Sequence, residues 1–140
     1  MDIETSEILF LLENKVHIHF TNKVLTVELY EDILSSEDTT KMNNILDMFY
    51  SNCEKNNIFF YILYDFSQLS ITSSSSIICD ITIYCDHFNK NTDIFHSNLK
   101  CFYIIIQNST LRDLLTSILD SYKPEIKPVL IQDISQLKYI

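Results

Sequence analysis

The sequence contains no glycine, no alanine and no tryptophan, and its 140 residues include two prolines and a single arginine, Arg112. Without glycine, the chain cannot form the glycine-rich loops that hold phosphate in dinucleotide-binding and P-loop proteins. Folding physics does not disfavour alanine, which is the best helix former. The composition therefore indicates an A+T-rich genome, and we predict an origin in a large DNA virus or in an A+T-rich parasite or protist.

Positive charge is also scarce. Ten Lys and Arg residues stand against 19 Asp and Glu residues, which gives a formal net charge of −9. Such a surface repels nucleic acid and anionic membranes and attracts basic groups. We expect a protein partner with a basic surface, with no nucleic acid and no membrane insertion; the composition leaves a homo-oligomer open.

Long apolar runs and secretory features are missing as well. The longest apolar runs, 58–64 and 101–106, have the length of a strand and are too short to cross a bilayer. The first four residues include two acidic ones, Asp2 and Glu4, where a signal peptide would be basic. The four cysteines contain no CxxC pair, so we expect reduced, buried thiols and a cytoplasmic protein, in the host cytoplasm or virion if it is viral.

Alternating hydrophobicity opens the chain. The runs 7–12 and 15–20 flank Glu13-Asn14, and 24–30 alternates again after Thr21-Asn22, which reads as a second turn. This pattern predicts two or three antiparallel strands, with residues 1–14 as an N-terminal extension that contains the first strand.

The rest of the chain alternates between helical and strand patterns. A helix capped by Ser35 or Ser36 should end at Asn56-Asn57, because asparagine tolerates the left-handed conformation that ends helices. Unbroken apolar runs at 58–65 and 101–107 predict strands covered on both faces, the first of them central.

Three further elements complete the pattern. A capping box of Thr110 and Asp113 predicts a helix that ends before Pro124, and a short strand is expected at 129–131. Residues 72–88 fit a helix or a strand, and we favour a helix because two parallel strands need a crossover. The order predicts one α/β domain over residues 1–140, in which a mixed sheet opens with an antiparallel hairpin and continues with βαβαβ units.

The stretch after the central strand resembles the STAS family, the anti-sigma-factor-antagonist fold. Asp65, Phe66, Ser67 and Leu69 stand where that family has its Asp-Leu-Ser-like strand end, and Ser74 matches the serine that many members phosphorylate. The family's next motif departs here, with Ser73 in place of Asp and Ser76 in place of Gly. The resemblance covers residues 15–140 in the order of elements, and it implies a sheet whose helices pack mainly on one face.

The resemblance also implies a site. A partner would contact the region around the start of the second helix, and Ser74 would be a phosphosite. The predicted partner-binding residues are Asp65, Ser70, Ser73, Ser74, Ser75 and Ser76. From the residues alone, the serine run fits a plain helix cap better than a partner-contacting loop, since serine is a preferred N-cap.

Other polar clusters carry weaker signals. His17 and His19 alternate along one strand without a ligand placed by sequence to complete a metal site, so we interpret them as sheet residues. The cluster of Cys85, Asp86 and His87 is likewise not predicted to bind a metal. Arg112 is expected in a surface ion pair. We therefore predict no metal, no cofactor and no catalytic residue, because no nucleophile has a base and an oxyanion site placed for it.

The function predicted first is a non-enzymatic protein-interaction module of STAS type, regulated through the serine cluster. Two alternatives stay open: a structural subunit of a viral or other large assembly, and a binder of a lipid or small apolar ligand.

Overall fold

The computed structural model of the chain describes residues 7–12, 16–30, 36–67, 89–122, 128–133 and 135. The described strands are β1 (Glu7–Leu12), β2 (Val16–Thr21), β3 (Val24–Leu29), β4 (Phe60–Asp65), β5 (Leu99–Ile105) and β6 (Val129–Ile131). The described helices are α1 (Ser36–Asn56), α2 (Thr92–Asn98) and α3 (Ser109–Tyr122).

All six strands belong to one sheet, in the order in which they occur along the chain. The pairs β1-β2 and β2-β3 are antiparallel, and the pairs from β3 to β6 are parallel. The predicted α/β class with a mixed sheet is confirmed. The strands predicted at 24–30, 58–65 and 101–107 are β3, β4 and β5, with ends displaced by one or two residues, and β4 lies inside the sheet as expected.

The parallel strands give the sheet two distinct ends. Each parallel connection must return the chain from the end of one strand to the start of the next. Helix α1 makes this crossover between β3 and β4, and α3 makes it between β5 and β6. Both helices therefore start at the carboxyl end of the sheet, where β3, β4 and β5 finish, and stop at its amino end, where these strands begin.

The hairpin between β2 and β3 turns at Asn22 and Lys23. Both residues have positive φ, 53° and 67°, and the flanking pair is Thr21 with Val24. A two-residue turn of this kind matches the twist of the strands and usually contains Asn-Gly. In a chain without glycine a lysine takes the second position, where its Cβ is crowded. The turn predicted at Thr21-Asn22 is thus wrong by one residue.

One face of the sheet packs against the helices. Alternate residues of the central strands point into this helix-covered face, and they meet the apolar stripe of each described helix. Its fully buried members include Ile18, Leu25, Met42, Leu46, Tyr50, Phe60, Ile62, Leu111 and Leu115. The Tyr50 ring stacks on Phe60 with centroids 5.8 Å apart and meets the edge of Phe95 at 5.0 Å. Burial of each such side chain contributes about 1.5–3 kcal/mol, and the aromatic rings fill the volume of this core.

The opposite face is divided into two parts. Toward β6 it is apolar and buried, with a cluster whose described members are all strand residues: Val24, Leu63, Tyr103, Ile105 and Ile131. Strand β4 therefore has buried residues on both faces, as its unbroken apolar sequence predicts. Toward β2 the same face is polar and half-buried.

Helix α1 ends as the sequence predicts. Asn57 has φ 55°, in the left-handed region, and the Ile58 amide donates to the Cys53 carbonyl at 2.9 Å. This bond and the one from the Asn57 amide to the Glu54 carbonyl, at 3.3 Å, form a Schellman-type cap.

Helix α2 was not predicted, and its last residue, Asn98, ties three elements together. The Asn98 side chain is buried and donates to the carbonyls of Cys53, at 3.2 Å, and Ile58, at 2.9 Å. It thereby fixes the end of α1 and the approach to β4 next to the start of β5. The segment 72–88, where a crossover helix was predicted, lies outside the described residues.

The predicted cap of α3 is wrong. The helix begins at Ser109, and its cap is Asn108, whose Oδ1 accepts a hydrogen bond from the Leu111 amide at 3.0 Å. Thr110 is already inside the first turn, so it cannot form the predicted capping box with Asp113. Asparagine is as good an N-cap as serine or threonine, and it stands nearer to the end of β5.

Of the helices that the structure describes, none combines the length and the apolar composition needed to cross a membrane.

Candidate functional site at the carboxyl end of the sheet

The polar side chains at the ends of β3 and β4 form the candidate site. Glu28 of β3 and Asp65 of β4 are register partners in the parallel pair, so they stand side by side on the face opposite α1. In open α/β sheets the carboxyl ends of the strands are where ligands usually bind. Two adjacent carboxylates in a sheet repel each other, so the groups that hold each of them matter.

Glu28 is held by two donors. Its Oε1 lies 2.9 Å from the Nε2 of His19, and its Oε2 accepts a hydrogen bond from the Tyr30 hydroxyl at 2.7 Å. Partial burial acts to raise the pKa of Glu28, but the bonds from Tyr30 and His19 and the nearby imidazoles outweigh it. The pKa of Glu28 therefore lies below its ordinary value, and the group is a carboxylate at neutral pH.

The pKa of Tyr30 is displaced in the opposite direction. Its hydrogen bond to Glu28, together with burial and the charges of Glu28 and Asp65, raises the pKa of Tyr30 to about 12. The ring also meets the edge of His17, with centroids 4.8 Å apart. Tyr30 is therefore a neutral donor that links the ends of β2 and β3.

Asp65 shapes the exit from the central strand. Its Oδ1 accepts hydrogen bonds from the Ser67 amide at 2.9 Å and from the Ser67 hydroxyl at 2.6 Å. The carboxylate thus replaces a backbone acceptor in a tight turn. The Phe66 amide continues the sheet by donating to the Ile105 carbonyl at 3.0 Å. Asp65 and Ser67, two residues of the STAS-like motif, therefore set the direction in which the chain leaves β4.

The other predicted site residues cannot be placed. Ser70, Ser73, Ser74, Ser75 and Ser76 lie outside the described residues. Of the six predicted partner-binding residues, only Asp65 is described.

Glu28 and Tyr30 were missed by the sequence reasoning. A turn at Thr21-Asn22 would have placed His17 opposite Thr26 and Glu28 opposite Lys15. The true turn pairs His17 with Glu28 and His19 with Thr26. The available signal was Asn22-Lys23 itself, since asparagine favours the first position of such a turn.

The histidines do not complete a metal site within the described residues. No group of three or more His, Cys, Asp or Glu side chains there is arranged to hold an ion. His19 instead binds Glu28, and His17 packs on Tyr30.

Arg112 stands close to the same end of the sheet. Its Nη2 donates to the Ile106 carbonyl at 3.0 Å, just beyond β5. This bond joins the first turn of α3 to the end of the strand. It gives the arginine a role in the fold, and the expected surface ion pair stays a prediction.

Two of the four cysteines are described. Cys53 is buried and Cys101 is partly buried, and both are free thiols. Burial raises the pKa of the Cys53 thiol to about 12, so this group is not a thiolate nucleophile at neutral pH. Cys79 and Cys85 lie outside the described residues, and the reduced state of all four stays a prediction.

Comparisons of the chain with protein-family models, with curated proteins and with solved structures find no match.

Proposed function

We propose that this chain is a non-enzymatic protein-interaction module with a STAS-like fold, and that its partner binds at the carboxyl end of the sheet. The observation that supports this most is the turn at the end of β4, where Asp65 binds Ser67. The turn joins the central strand to the serine-rich segment, and its residues are those of the STAS-like motif.

A partner with a basic surface fits this end of the sheet. Glu28 and Asp65 lie next to each other, and Glu37 and Asp38 lie in the first turn of α1, which starts at the same end. The charge of the whole chain, −9, adds a long-range attraction for lysine and arginine side chains.

The pKa displacements at the site support binding over catalysis. A general acid or base works best when its pKa is near the pH at which the enzyme operates. Here the pKa of Glu28 is lowered and that of Tyr30 is raised to about 12. Both groups are therefore fixed in one protonation state at neutral pH, which suits a recognition surface.

A phosphate on Ser74 would regulate such a surface. The added negative charge would repel the acidic end of the sheet, and it would oppose contact wherever Ser74 faces an acidic or apolar patch of the partner. We further propose that the protein acts in the cytoplasm, or in the host cytoplasm or virion if it is viral.

The test is affinity capture with tagged protein, followed by measurement of binding with the purified partner. Asp65→Asn keeps the Oδ1 acceptor for Ser67 and removes the charge, whereas Glu54→Gln removes a charge from the exposed last turn of α1, at the other end of the sheet. The proposal requires that Asp65→Asn weakens binding and that Glu54→Gln does not. Equal binding by both variants contradicts it.

Native mass spectrometry of the same preparation separates the alternatives. A stoichiometric co-purified lipid would favour the ligand binder, and stable elution within a large particle would favour the structural subunit. Either result without a dissociable protein partner would replace the proposed function.

A further inference from the structure

The amino end of the sheet carries lysines around one exposed aromatic ring. Lys23 lies in the β2–β3 turn, Lys55 lies in the last turn of α1, and Lys100 follows the first residue of β5. All three side chains are exposed. Phe59, in the segment between α1 and β4, lies among the elements that carry them. These four residues are called the amino-end patch below.

Phe59 is one of three large apolar side chains that are exposed within the described part of the chain, and 42% of its surface is accessible. The Nζ of Lys100 lies 4.4 Å from the centre of its ring. A lysine over a ring face is attracted by the ring's quadrupole, with about 0.5–1 kcal/mol at exposed sites. The contact holds the ring in one place while its remaining surface faces water.

The charge of the patch opposes that of the whole protein. Its three lysines lie at the end of the sheet where α1 and α3 stop, and the carboxylates in the last turns of these two helices, within the described residues, are Glu54 of α1 and Asp120 of α3. Among these described groups the balance is 3 − 2 = +1, in a chain whose net charge is −9. Nucleic acid would meet strong repulsion from the rest of this surface, whereas a short acidic protein segment would contact only the patch.

The backbone under the patch is fixed. The Tyr61 amide donates to the Lys23 carbonyl at 2.8 Å, and the Ile58 amide donates to Cys53 at 2.9 Å. Asn98 binds the Ile58 carbonyl from the other side at 2.9 Å. A surface that is ordered before binding loses less conformational entropy when a partner docks.

We propose that the amino-end patch is a second docking surface, for an acidic protein segment that places an apolar side chain on Phe59. The lysines would attract the acidic groups and set the orientation, and Phe59 would be the central contact. Aromatic residues are enriched at such central positions of interfaces. This proposal is independent of the function proposed for the carboxyl end.

The probe is a short synthetic peptide with glutamates around a central phenylalanine. The control peptide has lysines in place of the glutamates. Binding is followed by amide chemical-shift changes in the isotopically labelled protein. We expect saturable binding of the glutamate peptide, with shifts at Asn22, Lys23, Phe59 and Lys100. The lysine peptide should leave the chemical shifts of these amides unchanged, and added salt should weaken binding of the glutamate peptide.

Three variants make the test specific. Phe59→Ala and Lys100→Glu should each weaken binding of the glutamate peptide by about fivefold or more. Lys41→Glu makes the same change of charge on the exposed side of α1, next to Glu37, and should leave binding within about twofold. Since Phe59 and Lys100 are exposed, both variants should keep the wild-type spectrum elsewhere; Lys100→Glu alone suffices if Phe59→Ala does not fold.

The proposal is wrong if the glutamate peptide does not bind, if its shifts fall outside the patch, or if Lys41→Glu weakens it as much as Lys100→Glu. It is also wrong if the patch amides shift with protein concentration alone, because the occupant would then be a second copy of the chain.

Discussion

The two ends of the sheet are built from the same strands and differ in how their polar groups are satisfied. At the carboxyl end, the polar side chains bind one another: His19 and Tyr30 hold Glu28, and Ser67 binds Asp65. At the amino end, a buried asparagine and backbone bonds fix the chain, while the lysines and Phe59 face water.

At each end, the groups that bond within the chain support the fold, and the exposed groups beside them are available to partners. Removal of a group that bonds within the chain changes stability first. Removal of an exposed lysine or of Phe59 changes little besides binding, because surface substitutions away from such bonds usually have small effects. The comparison therefore predicts which substitutions alter folding and which alter recognition, in the order given below.

The largest effect on stability is expected at Asn98. Asn98→Ala removes two hydrogen bonds from a buried side chain, to Cys53 and Ile58, and should lower the free energy of unfolding by about 2 kcal/mol. Urea denaturation measures this value. Asn44→Ala, at an exposed position of α1, is the control and should be neutral or slightly stabilising. An equal loss of unfolding free energy in both variants would contradict the role of the Asn98 hydrogen bonds in stability.

At the carboxyl end, the largest effect should be on binding. Ser74→Asp should weaken binding of the partner by about tenfold or more, which corresponds to about 1.4 kcal/mol of binding free energy, with little loss of stability. A negative charge is tolerated at the N-terminus of the predicted helix, but a charge that faces an acidic patch of the partner is repelled, and one that faces an apolar patch loses its hydration when the complex forms. Ser117→Asp, on the exposed side of α3, is the control.

Titration calorimetry with the captured partner decides this. If Ser74 is only a helix cap, Ser74→Asp leaves affinity unchanged, and replacement of the true cap by alanine costs about 1 kcal/mol of stability.

The β2–β3 turn should be open to improvement. Lys23 has φ 67°, a region that glycine enters without a steric penalty. Lys23→Gly should raise the free energy of unfolding by about 0.5–1 kcal/mol. Glycine relieves the steric strain of the Cβ in the folded state, and this gain exceeds the loss that comes from the greater conformational entropy of glycine in the unfolded chain. Asn22→Gly should gain less, because asparagine already tolerates this region. Thermal unfolding of both variants tests the order, and a larger gain for Asn22→Gly would contradict it.

The smallest effect concerns pH. The folded-state pKa of Glu28 lies below the ordinary value of 4.5, so ionised Glu28 adds stability above that pH, and this is lost as the pH falls through the folded-state pKa. After solvent screening the contribution is about 0.5 kcal/mol. Wild type should therefore exceed Glu28→Gln in stability at pH 7, with the gap closing in acid. A gap that widens in acid would show that Glu28 is not held as a carboxylate.

The sequence predicts the framework of this fold better than the site. Unbroken apolar runs predict β4 and β5 because strands covered on both faces have no polar side to reveal an alternation. Asn57 predicts the end of α1 because asparagine is one of the few residues other than glycine that adopt positive φ without strain.

The misses share a cause. Helix α2 has seven residues, too few for a periodic apolar stripe to stand out. The pairing of His19 with Glu28 depends on the register of a hairpin, and a turn displaced by one residue changes every cross-strand pair. Asn98 looks like any polar residue in the sequence, and its bonds join positions 45 and 40 residues apart in the chain.

The most direct test of the central proposal is an amide hydrogen-exchange footprint of the captured partner on the folded chain. The proposal predicts slower exchange at Phe66, Ser67 and residues 68–76 when the partner is bound. It also predicts unchanged exchange at Asn22, Lys23 and Phe59, at the other end of the sheet. Protection at the amino end with none at Ser67 and the residues that follow would contradict the assignment of the partner to the carboxyl end.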